Sequence, residues 1–145
     1  MARDEATQRA AKFIEQLKPA YLEWLRTDVE ILEKAISNLK ETRGSKPGGF
    51  DAVYRQSSII RDLGTSFGYA SVTEVADSLC ELIRRLEENA MYHQPAIDTH
   101  FRSLQLVGSS QADAVNAAVD KSLIDGLRKI IGMFPNSSAC DRRRN

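Results

Sequence analysis

Two histidines, His93 and His100, and two cysteines, Cys80 and Cys140, are the side chains from which metal, redox or phosphoryl chemistry would first be built. A metal site needs further ligands at helical or turn spacing, and neither histidine has a Cys, Asp or Glu set around it in sequence. The cysteines stand far apart and form no C-x-x-C pair. Cys80 lies beside an apolar stripe and is expected to be a small packing residue. No H-E-x-x-H or G-x-S-x-G occurs, and G-T-S-F-G (64–68) lacks the following Lys of a phosphate loop. A different group recurs at helical spacing: Tyr54, Ser58, Arg61 and Thr65, with Asp62 beside them. A Ser hydroxyl is a poor nucleophile without an adjacent base, and in sequence only Asp62 supplies a carboxylate close to Ser58. From spacing alone the set reads as the polar face of a helix, with no catalytic residue, no metal and no cofactor.

The stretch Phe50–Leu79 must position that face. Val53, Ser57, Ile60, Gly64 and Phe67 share one side of a helix, opposite Tyr54, Ser58, Arg61 and Thr65. Gly68 suits a left-handed C-terminal turn. Ser71 and Glu74 have the spacing of a capping box for the next helix. Val72, Val75, Ala76, Leu79, Leu82, Ile83 and Leu86 form that helix's buried stripe.

This helix-turn-helix resembles the core of the histidine-containing phosphotransfer (HPt) family. Its members carry H-x-x-[KR]-G and a second Gly ten residues after the His. Phe67-Gly68-Tyr69 matches the second glycine, and ten positions earlier stands Ser58, where the family keeps its phosphorylated His. Arg61 matches the basic position, and Asp62 replaces the first Gly. The resemblance covers about Leu17 to Val107. It implies an up-down four-helix bundle with a short first helix across one end, and a receiver-docking face here made by Tyr54, Ser58, Arg61, Asp62 and Thr65, with Ser71 nearby. It also implies that the relay is lost. The family's imidazole attacks a receiver aspartyl phosphate and forms a labile phosphoramidate. A phosphoserine would be too stable to pass on, and Asp62 brings bulk and negative charge where Gly allowed close approach. Arg61 could pair with an acidic receiver pocket.

Elsewhere the pattern is helical throughout. Residues 3–18 predict a short polar helix with Ala11, Phe13, Ile14 and Leu17 on one side, broken or restarted at Pro19. Leu22, Leu25, Val29, Leu32, Ile36 and Leu39 predict a second helix, with Trp24 as a possible partner anchor. Glu41–Gly49 is a loop. Arg84, Arg85, Glu87 and Glu88 read as a solvated surface. Pro95 opens a helix whose Ile97, Phe101, Leu104 and Val107 turn inward, and Gly108-Ser109-Ser110 is expected to end it. A final helix, 111–133, is expected from a Ser110 cap, with Val115, Val119, Ser122 or Leu123, Leu127, Ile130 and Phe134 as its stripe.

Lys plus Arg and Asp plus Glu both number 20 in the 145 residues, a zero balance that argues against general nucleic-acid binding. The N-terminus has no apolar signal run, and no stretch approaches membrane-spanning length. The expectation is thus an all-α, cytoplasmic chain. Residues 1–108 form an HPt-like bundle with a short N-terminal helix, 109–134 an additional C-terminal helix on the bundle or a partner, and 135–145 a disordered tail. Its expected role is a pseudo-HPt binding a response-regulator receiver domain or a histidine kinase without transferring phosphate. The alternatives are active phosphotransfer through His93 or His100, and a structural interaction module, with homodimerisation through the C-terminal helix.

Overall fold

A computed structural model describes residues 2–110 and 117–136 of the chain. Five helices pack against one another: α1 (Ala2–Thr42), α2 (Gly49–Phe67), α3 (Ala70–Glu88), α4 (Gln94–Ser110) and α5 (Ala117–Ile131). No strand occurs among the described residues. Contacts run α1 to α2, α2 to α3, α3 to α4 and α4 back to α1, while α5 lies against α3 and α4. The shared core collects Tyr21, Leu32 and Leu39 of α1, Val53 and Ile60 of α2, the whole expected stripe of α3, and Ile97 and Leu104 of α4.

The short leading helix expected before Pro19 is not a separate element. α1 is one helix of 41 residues with Pro19 inside it, about 60 Å long at the α-helical rise. A proline removes one backbone donor and crowds the preceding turn at a cost of about 3 kcal/mol. Here it is exposed, flanked by Ala, Glu, Gln, Lys and Arg that favour helix on one side, and by the buried Tyr21 and Leu25 on the other. The first half of α1 does not cover an end of the core. Every side chain from Asp4 to Phe13 is exposed, so this half projects into solvent.

Two more boundaries depart from expectation. Gly108, Ser109 and Ser110 are themselves helical and form the last described turn of α4, three residues beyond the expected end at Val107. A helix ends at glycine when the chain there turns left-handed, and Gly108 is not among the positive-φ residues. Its bare backbone faces Leu25 of α1, 3.5 Å from where a Cβ would stand. At the start of α3 the capping residue is Tyr69, so Ser71 lies inside the first turn and does not cap it. Gly68 behaves as expected, with φ 76°. The Tyr69 N–H closes this turn on the Gly64 carbonyl at 2.9 Å.

Both aromatics flanking Gly68 stack on Tyr21, Phe67 at 4.6 Å and Tyr69 at 4.7 Å between ring centroids. The α2–α3 turn is thereby clamped to α1. Below it, α2 and α3 come close together at Gly64. A Cβ there would lie 2.7 Å from the Thr73 hydroxyl and 3.2 Å from the Thr73 backbone nitrogen.

The expected stripe of α5 is rotated slightly from Ser122, which is exposed, to Ile124, Leu127, Ile131 and Phe134, all buried within the chain. Residues 111–116, with Val115, and residues 137–145, with Cys140 and Arg142–Arg144, lie outside the described residues, as does the side chain of Val119. Arg84 and Arg85 are not merely solvated. Arg85 donates to the carbonyls of Ile131 at 2.9 Å and Phe134 at 3.1 Å, satisfying the C-terminal end of α5. Glu81 holds Arg85 at 2.9 Å and also pairs with Arg84. Burial opposes ionisation of Glu81, but the two guanidiniums outweigh it and hold its carboxyl below the usual range. Asn89 donates to the Pro135 carbonyl at 2.9 Å, and Arg84 reaches Asn136 at 3.4 Å. Residues 135 and 136 are therefore docked on α3 and do not belong to a free tail.

Gly64→Ala should lose about 1–3 kcal/mol despite its better helix propensity, because the clash involves backbone. Chemical denaturation reads this directly, and an unchanged or raised midpoint would refute the close-packing account. Arg85→Ala should cost about 1–3 kcal/mol through the two orphaned carbonyls. Hydrogen exchange should then quicken in α5 first, and uniform quickening over all helices would count against the clamp.

Candidate functional site

The expected face assembles along the seam where α2 and α3 run antiparallel. Four pairs cross it in order. Thr65 meets Thr73 at 3.5 Å, Arg61 meets Asp77 at 3.3 Å, and Ser58 meets Cys80 at 3.5 Å. Tyr54 and Arg84 line a shallow groove at the far end, with Asp51, Glu87 and Glu88. Tyr54, Ser58, Arg61 and Thr65 thus share one surface as the spacing implied. Ser71 does not join it. It lies instead beside Lys121, Asp125 and Arg128, on the side facing α5. The α3 members of the seam, Thr73, Asp77, Cys80 and Arg84, follow from the antiparallel register and were not singled out from spacing within one helix.

Ser58 is half-buried and its hydroxyl is occupied. It donates to the Tyr54 carbonyl one turn back at 2.9 Å. The Cys80 thiol can then donate to the Ser58 oxygen, or to the Tyr54 carbonyl 3.8 Å away. No carboxylate accepts the Ser58 proton. Asp62, the one candidate from the sequence, points to Arg61, whose Nε donates to it at 3.2 Å. Arg61 is therefore divided between Asp62 and Asp77 and presents a partly neutralised guanidinium. Burial pushes the Cys80 thiol up, against the lowering pull of the Ser58 hydroxyl and of Arg61. A protonated, buried thiol is a poor nucleophile. The seam can recognise and hydrogen-bond, and it has no activated nucleophile.

Asp62 also borders a second feature. Trp24, 48% exposed, and Ile59, 45% exposed, form an apolar groove with Leu63 between α1 and α2, rimmed by Asp28, Asp62 and Ser66. Its far wall is held by Gln56, which donates to the Asp28 carbonyl at 3.1 Å.

Neither histidine lies on this face. His93 caps α4, its Nδ1 accepting the Ala96 N–H at 3.1 Å while its ring meets Phe134 edge-on at 5.2 Å. His100 is fully buried between α3 and α4. A carbonyl only accepts, so the Ala96 oxygen 2.9 Å from Nδ1 assigns the proton to Nδ1. Nε2 then accepts the Ser78 hydroxyl at 2.9 Å. Both ring nitrogens are used inside the fold. Among the described residues no three His, Cys, Asp or Glu side chains gather as a metal-holding group.

Burial lowers the His100 pKa, partly offset by the Ala96 carbonyl. Folding keeps the ring neutral while the unfolded chain takes the proton. Stability from this group is thus complete above its ordinary value of 6.5 and falls as pH drops below it. His100→Gln should remove that component of the slope between about pH 7 and 5. An identical slope in both proteins, measured by urea denaturation, would mean that His100 is not held neutral.

Comparison of the chain with family models, curated proteins and solved structures found no match in any of the three.

Proposed function

We propose that the chain is a pseudo-HPt module of two-component signalling, an all-α adaptor that binds a receiver domain or histidine kinase and does not relay phosphate. In this reading the second half of α1 with α2, α3 and α4 is an up-down four-helix bundle, consistent with the contacts that run around those four helices. α5 is an addition to it, and the site of action is cytoplasmic. The observation that carries the reading is Ser58. It sits at the phosphoacceptor register on the open α2–α3 seam, with its hydroxyl tied to the Tyr54 carbonyl and no base beside it.

Tyr54, Ser58, Arg61, Asp62 and Thr65 would contact the partner. Receiver pockets are acidic in the family that this chain resembles. Arg61 favours such a pocket, whereas Asp62 both opposes it and draws off part of the Arg61 charge. Specificity would then be rearranged by a repulsive element as much as by an attractive one. Active transfer through His93 or His100 gains no support from the geometry. One ring caps a helix, and the other is sealed in the core with both nitrogens engaged.

Incubation with phosphorylated receiver domains from the same source organism tests the proposal. The expected result is binding with no label on the wild-type chain, weakened by Arg61→Ala. Acid-labile label should appear only on the Ser58→His, Asp62→Gly double variant. Acid-labile label on the wild type would overturn the reading, and so would the absence of binding to every receiver and kinase tried.

A further inference from the structure

α1 carries two apolar stripes, and among the described residues only one lies in the core. Tyr21, Leu25, Leu32, Ile36 and Leu39 face the core. Ala10, Phe13, Leu17, Ala20, Trp24, Thr27 and Ile31 recur at alternating intervals of three and four along a different side. Phe13 is 62% exposed, Trp24 48% and Ile31 49%. This is the 3.5-residue period of a two-helix seam, not the 3.6-residue period of a helix lying on a globular core. It runs without interruption from the projecting half of α1 onto the half held by the bundle.

We infer that this stripe is the interface of a homodimer in which two copies of α1 pair antiparallel. The stripe complements itself in one register. With the two-fold axis between residues 18 and 19, Phe13 meets Trp24 of the other copy, Leu17 meets Ala20, and Ala10 meets Thr27. Each large ring thereby faces the other copy's large ring twice in the dimer, and small residues meet at the centre. Each projecting half then lies over the other copy's groove of Trp24, Thr27, Ile59 and Leu63, with Phe13 as the apolar group that enters it. The bundles lie on opposite sides of the axis, because each is held by the half of α1 that follows residue 19.

Charge favours the same orientation. The flanking residue Arg9 comes beside Glu30 of the other copy, and symmetry repeats the pair. A parallel pairing would instead set Glu23 beside Asp28 of the other copy, a like-charge contact. It would also leave the groove beside Trp24 unfilled. The overlap is about 40 Å long and, with the edge of α2, on the order of 20 Å wide. That is roughly 800 Å² per copy, the size of a standard stable interface. The α2–α3 seam around Ser58 stays open in this dimer. The inference is independent of the signalling reading, since it uses neither Ser58 nor Arg61. It also moves self-association away from α5, whose apolar face is buried against α3 and α4.

Sedimentation equilibrium of the full chain is the test. Twice the chain mass is expected at low micromolar concentration, and a monomer at about 100 μM would overturn the inference. Ala10→Glu with Phe13→Glu changes two side chains that are exposed in the folded chain. It should give a monomer in which the bundle still unfolds cooperatively, and a persistent dimer would rule out this seam. Arg9→Glu should weaken the dimer several-fold and Glu30→Arg added to it should restore it, whereas no restoration would exclude the register. Spin labels at Gln8→Cys in a Cys140→Ser background should lie about 30 Å apart, while a distance near 10 Å would mean parallel pairing and refute the proposal.

Discussion

The close approach of α2 and α3 at Gly64 sets the rest of the arrangement. With no side chain at Gly64, the two helices come near enough for the Thr73 hydroxyl, which also reaches the Tyr69 carbonyl one turn back, to lie 3.5 Å from the Arg61 carbonyl of α2. The left-handed turn at Gly68 joins them with almost no connecting chain, so their antiparallel register has little freedom. Tyr21 then holds that turn from both sides through Phe67 and Tyr69. One glycine sets the spacing, a second sets the reversal, and the aromatic stack fixes the pair against α1. The cross-seam partners of Tyr54, Ser58, Arg61 and Thr65 follow from those three constraints.

The chemistry of the seam is a consequence of that register. Cys80 comes opposite Ser58, and Asp77 opposite Arg61. Each potentially reactive group is quenched by its neighbour. The Ser58 proton goes to a backbone carbonyl, the Cys80 thiol is held protonated by burial, and Arg61 is split between two carboxylates. The two histidines serve the fold itself. His93 satisfies an end of α4, and His100 joins α4 to Ser78 of α3 in the core. A surface of paired polar groups with no activated nucleophile is the outcome of these pairings.

α5 and α1 illustrate opposite uses of an amphipathic helix. α5 buries Ile124, Leu127 and Ile131 inside the chain, and Arg85 closes its end by donating to the carbonyls of Ile131 and of Phe134 just beyond it. Arg85 in turn is aimed by Glu81. α1 is anchored over its second half and free over its first. The same helix therefore contributes a core stripe and an outward one whose Phe13, Trp24 and Ile31 are exposed among the described residues.

From the residues alone, the helical class, the stripes of α2, α3 and α4, the turn at Gly68 and the shared face of Tyr54, Ser58, Arg61 and Thr65 were all legible. Each depends on periodicity or on a backbone preference that acts within a few residues. The packing role of Cys80 was legible for the same reason, from its place beside a stripe. Tertiary structure decided what local preference could not. Pro19 and Gly108 look like stops because each costs free energy in an isolated helix, and packing of the flanking turns outweighs that cost. Ser71 yielded the cap to Tyr69 because the Gly68 turn, closed on Gly64, dictates where α3 begins. Each of Ser58, Arg61, Arg85 and His100 also has a partner elsewhere: Cys80, Asp77, the carbonyls of Ile131 and Phe134, and Ser78. Those pairings depend on how helices are set side by side, and no spacing along one helix encodes that.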